Sequence, residues 1–180
     1  LLAFMLLFAT VIFLWWHLQL GLQRYFDADE FAYFHWARQM LIGKRPYVDF
    51  LLYVPAGFVF FLMPTFAFAT GPTPLLIGRI MQFIVFSGTV GMVSLLFWEV
   101  RKSYLALFAG MILAFLPMPF DKLIEVRPDN LATLLVLLGI YLEVRYLKTK
   151  KNTVGFLSGI AFGVSLLVLP KTVPNILVGL

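Results

Sequence analysis

Residues 1 to 22, LLAFMLLFATVIFLWWHLQLGL, contain no charged side chain. At 1.5 Å per residue a helix of this length reaches about 33 Å, enough to cross the hydrocarbon layer of a bilayer. A cleavable signal peptide would carry a shorter apolar core, roughly 7–15 residues, ending at a small-residue cleavage site. Trp15, Trp16 and Gln19 read instead as an interfacial belt at the end of a first span.

The rest of the chain repeats the pattern. Of 180 residues, 62% are hydrophobic and 13% charged, against roughly 45–50% and 25% in a soluble domain, and the mean hydropathy is +0.94. Nearly uncharged runs recur at 51–70, 75–98, 103–120, 131–142 and 154–170. These features predict an all-α, polytopic integral membrane protein, a single transmembrane module over 1–180. They exclude a soluble enzyme, a disordered tail and a nucleic-acid module, since the net charge of +5 is scattered over loops and forms no patch. The chain opens on Leu1 and stops within an apolar stretch, Asn175 to Leu180, and is expected to be the N-terminal part of a longer protein. The sequence has no cysteine and two histidines, His17 and His35, so thiolate and poly-His metal sites are excluded; any metal would rest on carboxylates.

Topology turns on residues 51–70. If they cross, strict alternation separates the loop 23–50 from the loop 121–130. If they lie on the surface or re-enter, those two loops share one side, and Arg101, Lys102 and the Arg145 to Lys151 cluster share the other. Net charge favours the second arrangement, +4 on the inner loops against −1 on the outer, although Lys and Arg alone number six on each side. Pro55, Gly57, Pro64, Gly71, Pro72 and Pro74 also suit a surface or re-entrant segment better than a straight span. The second arrangement is preferred, with 51–70 a membrane-surface or re-entrant segment, and it brings two acidic loops onto one face.

Residues 24–50, RYFDADEFAYFHWARQMLIGKRPYVDF, are the one long stretch of mixed polar character. Tyr33, Trp36, Ala37 and Met40 recur at helical spacing, so an amphipathic surface helix is predicted, ended by Gly43 and Pro46. Asp27 can cap it and Glu30 close a capping box. Asp29 has neither task, and a carboxylate beside an apolar surface is costly unless used. The second loop, DKLIEVRPDN over 121–130, sets Glu125, Arg127 and Asp129 at two-residue steps; Pro128 and Asp129 also suit a helix start. Arg79 and Lys171 are isolated cations in apolar runs. Either can snorkel, but Lys171 lies between Pro170 and Pro174 at an interrupted helix end, where a cation can anchor a phosphate. Ser87, Gly88, Gly91 and Ser94 suggest close helix packing.

Taken together, the Asp29-Glu30 pair with Phe31 and Tyr33, then Met40, Gly43 and Pro46-Tyr47-Val48-Asp49-Phe50, resemble the first external loop of GT-C glycosyltransferases. The likeness is closest to the protein mannosyltransferase and aminoarabinose transferase group, including the bacterial RgtA/B/C/D-like enzymes. A Pro-containing segment at 51–70, Arg79, Arg127-Pro128-Asp129 and Lys171 extend it over nearly the whole chain. The resemblance implies a GT-C-like helical module that moves a sugar from a polyprenyl-phosphate donor to a hydroxyl acceptor, with membrane lipid but no nucleic acid as a further partner. It implies a multi-pass protein of the inner or plasma membrane with its active face periplasmic or extracellular. Asp29 would be the general base, Glu30 the second catalytic acid that positions or polarises the substrates with Asp49, and Asp129 a secondary acid. Lys171, with Arg127 or Arg79 as weaker candidates, would hold the leaving phosphate. No cofactor is firmly expected; a divalent cation is compatible with the pattern. Family members often carry a His or Lys before paired prolines after the Asp49 position, whereas this chain runs Leu51-Leu52-Tyr53-Val54-Pro55-Ala56, so the resemblance does not extend to a second phosphate contact in that loop and does not fix the exact donor. The rival reading is a transporter or lipid flippase using the same acids for ions or head groups. Transporters, however, set their charges near the bilayer midplane, and here they sit in loops.

Overall fold

The computed structural model describes residues 1–67, 69, 71–116 and 125–179. The first four residues of the 121–130 loop, Asp121 to Ile124, and the end of the expected 103–120 span fall outside the described residues.

The protein is an all-α membrane protein. Among the described residues, three helices are long and apolar enough to cross a bilayer: α1 (Leu2–Gln23), α4 (Thr73–Arg101) and α6 (Pro128–Thr149). Between and after them lie α2 (Ala28–Leu41), α3 (Gly57–Leu62) continued by a 3₁₀ turn (Met63–Phe66), α5 (Leu105–Phe115), α7 (Asn152–Val168), a 3₁₀ turn (Pro170–Thr172) and α8 (Val173–Gly179). Helix starts follow the sequence signals. Thr73-Pro74 opens α4 and Pro128 opens α6, where proline's missing N–H is no loss and its φ is already helical. The helices α4 and α6 end on Lys102 (φ 50°) and Lys150 (φ 53°) in the left-handed region.

Pairs of contacts fix the helix directions. Along α1 and α4, Gly21 meets Arg79 and His17 stacks near Phe86, so the two run antiparallel. The helix α5 returns beside α4, with Trp98 on Tyr104 near one end and the His17 ring nitrogen on Ala114 O (2.9 Å) near the other. The helices α4 and α6 are parallel: Gln82 bonds Asn130 at their starts, and Glu99 pairs with Lys148 (3.0 Å) at their ends. Finally α7 folds back along α6, where Ser158 Oγ donates to Gly139 O (2.9 Å). A Cβ on Gly139 would fall 2.4 Å from the Phe162 ring, so the absence of a side chain permits this close approach.

These directions place the ends of α1 and α7 and the starts of α4 and α6 together. The segment from Arg24 to Pro72 therefore leaves the bundle and returns at one end. The only helix within 51–66 is α3 with its 3₁₀ turn, about 15–17 Å long by the rise per residue. Over this end α2 lies as a lid on an apolar cluster. Its buried Tyr33, Phe34, Trp36, Ala37 and Met40 pack with Phe58, Val59 and Leu62 of α3, with Val126 and Ala132, and with Val168. Two glycines allow this docking. A Cβ on Gly57 would stand 2.4 Å from the backbone oxygen of Leu167, and one on Gly78 would enter the Phe34 ring.

Candidate active site at the loop end of the bundle

The start of α2 sets the first group of side chains. Asp27 accepts from the Asp29 N–H (3.1 Å), and the Asp27 N–H donates to Glu30 Oε2 (2.9 Å), completing the capping box that the spacing suggests. Two positions inside the cap, Asp29 is left pointing away with its side chain 48% exposed.

Beneath that surface lies a buried ionic tier. Glu30 is fully buried and faces Arg79, with Arg79 Nη2 on Oε2 at 2.9 Å and Nε on Oε1 at 3.2 Å. The remaining Arg79 donors reach Gly21 O, Arg24 O and Tyr25 O at 2.5, 2.7 and 2.8 Å, and its guanidinium lies 3.8 Å from the Phe26 ring centre. All five guanidinium N–H groups are thus engaged, leaving none for a phosphate. Glu30 Oε1 also accepts the Val126 N–H (3.0 Å), which ties the second loop to the first. A second buried acid, Glu125, pairs with Arg24 (2.9 Å) and Arg127 (2.6 Å). Gln82 adds a bond to Arg127 O (2.9 Å) from the third turn of α4.

The accessible tier rests on this base. Arg127 Nη2 lies 2.9 Å from Asp29 Oδ2 and 3.6 Å from Asp27 Oδ2. Two residues further, Asp129 is ion-paired with Lys171, which the break between α7 and α8 carries to the same end. The two loops singled out in the sequence therefore meet, and Lys171 joins them although it is 142 residues from Asp29. Asp49 is placed apart from this contact network: it accepts from the Arg45 N–H (2.7 Å) within its own turn. Glu30, grouped with Asp29 from the sequence, is turned wholly inward, and Arg79 is a structural tie.

Sequence reasoning passed over Arg24, Gln82, Glu125 as a buried acid, and Asn130. A usable signal was present for Gln82: it stands three residues after Arg79, so the two polar side chains share one face of the otherwise apolar run 74–86. Among the described residues no three His, Asp or Glu side chains group as a metal site.

Tyr33 is buried in the apolar cluster on the inner face of α2, against Trp36 and Phe58. Burial pushes its phenol up to about 12, helped by Tyr53, Asp29 and Asp129 and opposed by Arg127. A raised phenol pKa favours the protonated form in the fold, so its stabilising contribution is complete below pH 10 and is lost as pH climbs towards 12. In an alkaline absorbance titration, Tyr33→Phe is expected to remove one late-titrating phenol of the seven. Loss of an early-titrating phenol instead would contradict this placement.

The sequence model of the dolichyl-phosphate-mannose-protein mannosyltransferase family matches residues 58–178. That range contains Arg79, Arg127, Asp129 and Lys171, while Asp29, Glu30 and Asp49 precede it. No curated protein and no solved structure matches the chain.

Proposed function

The chain belongs to that mannosyltransferase family, and from this premise we propose that it transfers a sugar from a polyprenyl-phosphate donor to a hydroxyl acceptor of a protein or lipid glycan. The observation that carries the reading is the meeting, at one end of the bundle, of Asp29, Arg127, Asp129 and Lys171 from three separate parts of the chain. In the reading, this end faces the non-cytoplasmic side of an inner or plasma membrane, and the Arg145 to Lys151 cluster faces the cytoplasm. The segment 51–70 does not cross in this reading, and lies at the surface or re-enters on the active side.

The chemistry needs two kinds of group. As the acceptor oxygen bonds to the anomeric carbon, its proton passes to Asp29, through Oδ1, the oxygen not engaged by Arg127. The bond from the anomeric carbon to the phosphate oxygen breaks, and its electron pair leaves with the lipid phosphate. That anion requires cations. Lys171 is the best placed, with its side chain 68% exposed, and Arg127 is second. Asp129 holds Lys171 before the donor arrives. Asp49 contacts the acceptor or sugar from the adjoining turn. Glu30 acts as a positioning residue, since it holds α2 and the second loop in register from below. Lys171 and Arg127 supply the positive charge, so this reading requires no divalent cation.

Lys171→Ala tests it. A charge-assisted contact to phosphate is worth about 1.5–3 kcal/mol, or roughly 10–100-fold in kcat/KM for the donor. Transfer by the purified protein should fall by that factor in Lys171→Ala, while Lys150→Ala, at the opposite end, should leave it near normal. Asp129→Asn also breaks the ion pair but keeps the cation, and should retain more activity than Lys171→Ala. Equal losses at Lys171 and Lys150 would overturn the assignment.

A further inference from the structure

The face of α2 turned away from Asp29 borders a groove. Phe31, His35 and Arg38 succeed one another along it, all exposed, and with Phe66, Pro74 and Leu75 they line a groove of about 320 Å³ between α2 and the opening of α4. Its walls are aromatic and aliphatic, yet its α2 edge carries a permanent cation. Among the described residues no carboxylate lies within ion-pair distance of Arg38. The acids of the same loop are committed elsewhere: Asp27 and Asp29 to Arg127, Glu30 to Arg79, and Asp49 to Arg45. His35, bonded to Gln39 (3.4 Å), places a polar ring one turn from Arg38.

We propose that this groove binds the phosphate head group of an anionic phospholipid of the surrounding bilayer, with Arg38 on the phosphate and Phe31, Phe66 and Leu75 against the upper acyl chains. Charge complementarity selects an anion, and the apolar walls select one attached to hydrocarbon. Placement at the first turn of a spanning helix sets the groove at head-group depth. The lipid is distinct from the sugar donor. At about 100° per residue, Phe31, His35 and Arg38 lie roughly 180–240° around α2 from Asp29, on the far side of a helix about 10–12 Å wide. A phosphate in the groove cannot reach the reacting centre. Its effect is to hold the lid helix against the membrane surface.

The test reads lipid retention, so it stands or falls independently of sugar transfer. Purified protein in detergent is titrated with phosphatidylglycerol or phosphatidylcholine, and bound lipid is counted by native mass spectrometry. Phosphatidylglycerol should be retained at least tenfold better than phosphatidylcholine. Arg38→Gln should abolish that preference, whereas Arg45→Gln, at another exposed arginine of the same loop, should preserve it. Added polyprenyl phosphate should not displace the bound phosphatidylglycerol. Equal retention of the two lipids, equal loss in the two variants, or displacement by polyprenyl phosphate, which would make the groove part of the donor path, each overturns the proposal.

Discussion

Asp29→Asn is expected to leave a folded, membrane-inserted protein that has lost about 10²–10⁴-fold of its sugar transfer, the usual worth of general-base catalysis. The side chain is half exposed and its chief contact is Arg127 at 2.9 Å. An amide oxygen can still accept that bond, so little stability is at stake; what the amide cannot do is take a proton. The neighbouring position provides the contrast. Asp27 caps α2 through a hydrogen bond to the Asp29 N–H and lies 3.6 Å from Arg127. Asparagine caps about as well as aspartate, so Asp27→Asn should be nearly silent. Turnover with labelled donor, set beside an unfolding curve for each variant, separates the two. Near-normal turnover by Asp29→Asn would remove it from the base role, and the accessible acids Asp129 and Asp49 would be next.

The parts of this architecture visible in the sequence are those that obey local rules. The capping box needed only Asp27 and Glu30 at their spacing, and the buried face of α2 needed only Tyr33, Trp36, Ala37 and Met40 at theirs. The long spans were visible as uncharged runs, though α6 extends from Pro128 to Thr149 where the apolar run covers only 131–142. Arg145 and Lys148 are tolerated in its last turns because they sit at the polar end of the bundle. Long-range pairing could not be read in the same way. Arg79 looked like a cation free to snorkel, because nothing in its own helix reveals that three carbonyls of the α1 end and Glu30 converge on it. Lys171 and Asp129 were each singled out, but their pairing depends on α7 folding back along α6. Gln82 and Asn130 escaped notice because a single amide carries no charge signal.

The largest stability effect should come from Arg79, and it also distinguishes the two carboxylates that stand side by side at 29 and 30. Arg79 and Glu30 are 2% and 0% exposed. Together they join the end of α1, the start of α2, the first turns of α4 and the Val126 amide before α6. Removing one partner of a buried pair strands the other charge, at a cost of about 3–5 kcal/mol. Arg79→Met additionally orphans the carbonyls of Gly21, Arg24 and Tyr25. For a chain of this size that corresponds to a fall in Tm of roughly 10 °C. Lysine should rescue little, having three donors on one centre where five in a plane are used. The double variant Glu30→Gln/Arg79→Met should lose less than the two single changes added together, because no unpaired charge is left behind. Activity, in contrast, should track the folded fraction in Glu30→Gln, as expected of a positioning residue, while Asp29→Asn is dead though folded. If Arg79→Met melts like the parent protein, the tie is not the element that holds the two loops together, and the convergence of Asp29 with Arg127 must rest on the apolar packing of α2 alone.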